Sequence, residues 1–455
     1  MTTLTIFKRI VFIGLGLAIA WHSALNFFGY SWPQNTFLFM PEDRFNDWQN
    51  SVNATINYNP YYEKGRVAIS AYFPFTYLVI EPFSNLNRIQ SITAYLVVSV
   101  ILFVISLNIL LNTLIKNYND NNIPNLKIKR FDVIMIMCIT YPAIFSLDRG
   151  NIDLWIASLC LIYLSTFNGK HNMIGIICIS FAIAFKGYPM AFLILKVSER
   201  KYRDTFIIIA IATALSVLSL SIMQGGFTHN LLGFLNNLEQ FRASYVIGPN
   251  SLFGSSDPYN ALRVIILIFF DRSVDHIPIW SIPLHRLYIF FSLLLAIIST
   301  YFVLAVRSKA WKKVMSISIL SILFPDVAND YKLCLLIPGL LFLIFEITAK
   351  STKEFIAILL VGLLMIPKNY LFLYNHSISM IINPLLIISL ALVVLIDRNA
   401  WRNSIRLLKY TILWHITNWI GVKYILIRLN LIKNSKFFCD KSHRSLDYKI
   451  LKEAA

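Results

Sequence analysis

The chain has 455 residues, 57% hydrophobic and 14% charged, with a mean hydropathy of +0.63, so most of its length cannot be the surface of a water-soluble domain and must be solvated by lipid. Backbone polar groups find no water in hydrocarbon, and the apolar runs are too long and continuous for alternating barrel strands; the expected fold is all-α, a polytopic bundle of about ten to thirteen transmembrane helices with long extracytoplasmic loops. The formal charge of +18 falls in short Lys and Arg clusters between apolar runs, which fits cytoplasmic loops and not a nucleic-acid-binding face.

Lys8-Arg9 followed by Val11 to Phe28 has the charge pattern of a secretory signal. The run is too long for a typical signal and lacks a clear small-residue cleavage site, so it reads as a retained first span with its N-terminus in the cytoplasm. The polar stretch Tyr30 to Tyr72, carrying Glu42, Asp43, Asp47 and Glu63, is then an outer loop. Phe73 to Phe83 is short and broken by Pro74 and Pro82, whereas Ile92 to Leu111 crosses and delivers Lys116, Lys127, Lys129 and Arg130 to the inside.

Phe131 to Phe145 and Ile152 to Thr166 form a tight pair around an outer turn at Asp148 to Asp153. Met173 to Val197 is interrupted by Lys186-Gly187-Tyr188-Pro189 and followed by Arg200, Lys201 and Arg203. Two half-length helices that turn near the outer leaflet and return satisfy both features; a single kinked span is the alternative. Phe206 to Met223 leads to a second outer loop, Gln224 to Asn260, and Ala261 to Phe270 is too short to span.

Leu287 to Val306 returns to Arg307, Lys309, Lys312 and Lys313, and Val314 to Phe324 and Tyr331 to Phe345 flank a third outer turn at Pro325 to Asp330. Phe355 to Ile366 and Ile378 to Ile396 complete a transmembrane domain of residues 1–396; residues 397–455 read as an interfacial helix and a basic cytoplasmic tail. The cysteines imply no disulfide framework and no metal-ligand spacing.

On this topology ionisable residues gather at outer helix ends, where polar groups at membrane depth mark a functional site. The segment Ser146 to Arg203 holds Gly150-Asn151-Ile152-Asp153, Lys186-Gly187-Tyr188-Pro189 and the basic turn Arg200 to Arg203 in order. It resembles glycosyltransferase family 87 of the GT-C superfamily, whose pattern is a Gly-Gln/Asn-x-Asn/Asp turn, a helix ending in Lys-x-x-Pro, and a basic turn. Arg44-Phe45-Asn46-Asp47-Trp48 resembles the family's first-loop Asp motif, Tyr72-Phe73-Pro74 its Tyr-Pro-Pro, Asn250-Ser251 its Asn-Ser, and Asp330-Tyr331-Lys332-Leu333 its late aromatic-polar turn. Phe75 departs from the second Pro of Tyr-Pro-Pro, and nothing after Asp397 has a counterpart.

The basic clusters put both termini in the cytoplasm, and the resemblance implies a plasma-membrane enzyme. It would move a hexose, mannose-like, from a polyprenyl-phosphate carrier to a glycolipid or glycan acceptor on the extracytoplasmic face, in cell-envelope synthesis. The phosphate leaves without protonation, so one carboxylate suffices as base. By resemblance that base is Asp47, with Asp43 its nearest competitor. Arg149, Lys186 and Lys332 are candidate phosphate ligands. Asp43, Asn151, Asn250, Asp326 and Asp330 are candidate substrate contacts, while Asp148, Asp153, Asp326 and Asp330 could orient the cations or bind sugar hydroxyls.

No cofactor is assigned. The first loop lacks a compelling Asp-x-Asp pair, so no metal is expected. The expected partners are the donor, the acceptor and membrane lipids, with no nucleic acid. A lipid-linked glycan polymerase or ligase is disfavoured because the second outer loop has only Arg242 before Asn260. A transporter or flippase is disfavoured because no repeat stands out and the polar groups lie near outer helix ends.

Overall fold

The computed structural model describes residues 3–29, 44–56, 59–62, 69–120, 129–167, 169, 171–248, 255, 257–269, 281–325, 327–346, 351–373, 376–396 and 401–402. The chain divides into two compact units, Met1–Ile396, which holds every element below, and Asp397–Ala455. Of the second unit, where the interfacial helix and tail are expected, only Trp401 and Arg402 are described.

The described residues are helical nearly throughout. Helix α1 (Thr3–Phe27) is followed by the short α2 (Asn46–Thr55) and α3 (Pro74–Ile80), which opens on a proline suited to a first helical turn and passes into a 3-10 turn at Glu81–Asn85. Helix α4 (Arg88–Asp120) has 33 residues, about 50 Å at 1.5 Å per residue. The sequence predicts one run over Phe131 to Phe145, but α5 (Arg130–Cys138) and α6 (Tyr141–Arg149) are bent by 50°. Pro142 is the cause: it lacks an N–H, and its ring would clash with the carbonyl of Cys138, where α5 ends.

Then come α7 (Asp153–Ser165), α8 (Asn172–Phe185), a 3-10 turn at Tyr188–Phe192, α9 (Leu193–Ser198) and α10 (Tyr202–Ile222). Helix α11 (Gly226–Phe241) ends in a π turn, and α12 (Pro258–Phe269) and α13 (Ser281–Ala305) follow. Helix α14 (Ala310–Leu323), a 3-10 turn at Asp330–Leu335, α15 (Leu336–Glu346) and α16 (Thr352–Leu364) precede a hairpin of β1 (Phe372–Leu373) and β2 (His376–Ser377), which pair antiparallel, and α17 (Ser379–Leu395) closes the bundle.

By length and apolarity α1, α4, α10 and α13 can each cross a membrane, and the bent pair α5–α6 raises the total to five among the described residues. Several other apolar helices have 10–17 residues and are too short to cross about 30 Å of hydrocarbon alone. The four or five helices that can cross are fewer than the about ten to thirteen spans expected, because much of the remaining apolar sequence among the described residues folds into shorter and broken helices.

The burial pattern separates inner from outer helices. Nearly every residue of α7, α14 and α15 is buried, as an all-round apolar helix requires. Helices α1, α10 and α13 instead present Phe12, Leu17, Phe206, Leu218, Phe290 and Phe291 outward, the faces that lipid would cover.

Hydrogen bonds fix which helix ends share a side. Lys8 pairs with Asp132 at 2.7 Å, Arg130 bonds Asn112, Thr113 reaches Ser165 O at 3.4 Å, and Lys309 pairs with Glu354 at 2.5 Å. Lys196, fully buried, binds Phe167 O at 3.0 Å, Asn172 at 2.5 Å and Asp204 at 3.1 Å. The last contacts return the end of α9 to the start of α8, the half-helix hairpin that the basic flank beyond Lys186 predicts. The described basic clusters at Lys8, Lys129 to Arg130 and Arg200 to Arg203 thus share one end of the bundle, and the turns at Arg149, Lys186 and Asp330 share the other.

Candidate functional site

The site is built where α2 docks on the end of α6. Phe45 stands at φ 56, and its N–H donates to Asp148 O at 2.7 Å, setting the first turn of α2 against the last of α6. Trp48 is fully buried, stacks near Tyr95 at 4.6 Å and donates its indole N–H to Ser91 at 2.9 Å. Gly150 ends α6 in the left-handed region at φ 71, and a Cβ there would lie 2.5 Å from Trp48 Cβ. Only glycine meets both conditions.

This docking brings Asp47, the second residue of α2, to the polar turn. Asp47 Oδ1 accepts from Arg149 Nη2 at 3.2 Å, and Asp47 Oδ2 accepts from the Asn151 amide at 2.8 Å. The same amide donates to the Tyr72 hydroxyl at 3.3 Å. Arg44, one turn back, faces Asp148 at 3.7 Å.

Lys186 enters from the break in the α8–α9 hairpin. Gly187 packs so closely that a Cβ would meet the Phe73 ring at 2.8 Å, and Thr76 donates to the freed carbonyl of Phe185 at 2.7 Å. Lys186 Nζ donates to Asn151 Oδ1 at 3.0 Å and to Asp153 Oδ1 at 2.8 Å. It stands 4.7 Å over the Tyr72 ring and 5.8 Å from that of Tyr331, within cation–π range. Asp153, fully buried, also accepts from the Tyr188 hydroxyl.

The 3-10 turn at Asp330 supplies the third cation. Lys332 donates to Val327 O and lies 5.3 Å over the Tyr188 ring, which joins it to the Asp153–Lys186 pair. Asp330 is held by Asn383 at 2.7 Å and Tyr141 at 3.4 Å, anchoring the turn to α17 and α6. Desolvation first, then the Asp47 carboxylate, pushes the Tyr72 hydroxyl well above its ordinary value, so Tyr72 acts as a neutral phenol.

The sequence reading named Asp47, Arg149, Asn151, Lys186, Asp330 and Lys332, and the fold brings them to one end of the bundle. The first four share one hydrogen-bonded network. Asp43, Asn250 and Asp326 lie outside the described residues, as do Glu42 and Glu63. Tyr72, Tyr188 and Tyr331 stand inside the quoted motifs, but their side-chain roles emerge only from the fold. Tyr141 and Asn383 were not singled out at all, their one signal being a polar group within an apolar run. Among the described residues no three His, Cys, Asp or Glu side chains are placed to hold a metal ion.

Cations and carboxylates therefore alternate across the site, with Arg149 against Asp47 and Lys186 against Asp153. Such an array can accept a proton at the partly buried Asp47 and receive an anion at Arg149 and Lys186. The profile of glycosyltransferase family 87 matches residues 71–324, a stretch that includes Tyr72, Arg149, Asn151, Asp153, Lys186 and Tyr188. Comparison with curated proteins and with solved structures finds no match.

Proposed function

The chain belongs to glycosyltransferase family 87 and is a membrane glycosyltransferase, and from that premise we propose that it moves a mannose-like hexose from polyprenyl phosphate to a glycolipid or glycan acceptor. The reaction takes place on the extracytoplasmic face of the plasma membrane, in cell-envelope synthesis. The observation that carries this reading is the placement of the Asp47 carboxylate beside Arg149 and, across Asn151, beside Lys186.

In the proposed reaction the acceptor oxygen attacks the anomeric carbon and gives its proton to Asp47. The bond from that carbon to the phosphate oxygen breaks, and its electron pair leaves with polyprenyl phosphate. The carrier phosphate gains one negative charge as Asp47 loses one. Arg149, whose Asp47 partner is then neutral, adds its charge to that of Lys186 and Lys332 at the phosphate. Transfer requires no acid for the leaving group and no metal. Asp43, Asn250, Asp326 and Asp330 are proposed substrate contacts for hydroxyl groups of the sugar or acceptor.

The test is radiolabelled-sugar transfer by the purified protein in proteoliposomes containing envelope lipids. It offers a panel of polyprenyl-phosphate sugars and of nucleotide sugars, with and without a chelator. Labelled product from a lipid-linked donor, unchanged by chelator, is expected. A nucleotide sugar serving as donor, or loss of activity with chelator, overturns the mechanism.

A further inference from the structure

Asn151 has no hydrogen-bonding capacity left for a substrate. Its amide hydrogens go to Asp47 Oδ2 at 2.8 Å and to the Tyr72 hydroxyl at 3.3 Å. Its oxygen accepts from Lys186 Nζ at 3.0 Å and from the Asp153 backbone N–H at 3.1 Å. An asparagine side chain makes at most four such bonds, and this one is 1% exposed. The orientation of the amide is also fixed. A lysine and a backbone N–H only donate, so they face the oxygen; a carboxylate only accepts, so it faces the NH2 group.

We propose that Asn151 is a positioning residue that ties the base to the donor-binding cation, its NH2 half holding the Asp47 carboxylate and its carbonyl half holding Lys186. This rests on the reading of Asp47 as the base. It replaces substrate contact with a structural coupling between the acceptor and donor sides of the site. Among the described residues, the charged and titratable groups around Asp47 are Arg149 on α6, Tyr95 on α4, and Tyr72 and Tyr331, with Lys186 and Asp153 beyond Asn151 and the Arg44–Asp148 pair beside them.

Asn151→Asp separates the two halves because the new side chain has the same shape. It still accepts from Lys186 and from the Asp153 N–H, but it meets Asp47 oxygen to oxygen with no proton between. Two carboxylates at that distance do not both stay ionised; lowering the pH lets them share a proton and restores the bond. N151D should therefore transfer about a hundredfold more slowly than wild type at neutral pH. The ratio of its rate to the wild-type rate should rise as pH falls, because only the variant gains from a shared proton. A residue that merely fills space would leave that ratio flat.

The exchanged pair D47N/N151D keeps the contact readable if N151D folds poorly. There the amide at position 47 can donate to the carboxylate at position 151, which still accepts from Lys186. Thermal stability lost in N151D should return, while transfer should be absent because the base is gone. An N151D profile parallel to wild type, or a double variant no more stable than N151D, overturns the inference. If D47N alone transfers normally, the assignment of the base fails instead, and the stability comparison still decides whether Asn151 holds position 47.

Discussion

Asp47 Oδ1 lies 3.2 Å from Arg149 Nη2, although 102 residues separate them in sequence. The contact depends on the left-handed Phe45 and Gly150, which let the start of α2 lie against the end of α6. It also neutralises the resting site. In the proposed reaction the arginine keeps its charge when the base takes up a proton, at the moment a phosphate gains charge.

Asp47→Asn should remove transfer while leaving the fold in place. The pair with Arg149 is about one-fifth exposed on each side, and an amide at position 47 keeps an acceptor oxygen for only one of Arg149 and Asn151, so the stability lost is about 1–3 kcal/mol. A missing general base lowers the rate by about a hundred- to ten-thousandfold. A folded protein of modestly lower thermal stability together with near-complete loss of transfer is the expected result. Near-normal turnover would move the assignment to Asp43 or remove it.

Lys186→Ala should have two separable effects. Loss of one charged hydrogen bond to the donor phosphate costs roughly 1.5–3 kcal/mol, about ten- to a hundredfold in transfer and donor binding. Loss of the partner of the fully buried Asp153 destabilises the protein by about 3–5 kcal/mol. Adding Asp153→Asn should restore stability without restoring affinity for polyprenyl phosphate. If the double variant regains both, Lys186 is structural and holds no phosphate.

The shared end of the basic clusters gives a topological expectation. Single cysteines at Lys129 and Lys201 should be labelled from the cytoplasm, and one at Arg44 from the opposite side. Membrane-impermeant thiol reagents on intact cells and on inverted vesicles check this directly. Labelling of Arg44→Cys and Lys201→Cys from the same side would dissolve the grouping of the site on the outer face.

The helical class and the break at Lys186 were legible because lipid leaves the backbone no other economy of hydrogen bonds and because Pro189 and Gly187 disrupt a helix. The gathering of Arg149, Asn151 and Lys186 was legible through motif order. The bend before Pro142 is not legible in this way, because apolarity alone does not report it. The partners of Asp330 were not legible either: Tyr141 and Asn383 lie 189 and 53 residues away in sequence and sit within apolar helices. Periodicity places such a residue on a helix but does not say which carboxylate it will meet.

Lys368 gives the molecule a pH signature of its own. It sits between α16 and α17, caps Leu363 O at 2.6 Å and Ile366 O at 2.8 Å, and is nearly buried. Desolvation pulls its ammonium down from 10.5 to about 8, against the opposing pull of Asp330. The folded chain therefore binds fewer protons at this site than the unfolded chain between those values. Stability attributable to Lys368 is lowest below pH about 8, rises through the window and levels off above 10.5. Removing the charge in Lys368→Met abolishes this dependence, while the carbonyls it leaves uncapped are equally costly at every pH. The thermal stability of wild type relative to K368M, measured in detergent from pH 7 to 11 or so, should thus increase across the window, by roughly 3 kcal/mol at most. Titrations elsewhere cancel in that difference. A flat difference would mean that the ammonium is solvated in the folded protein, and a falling one that Asp330 outweighs its burial.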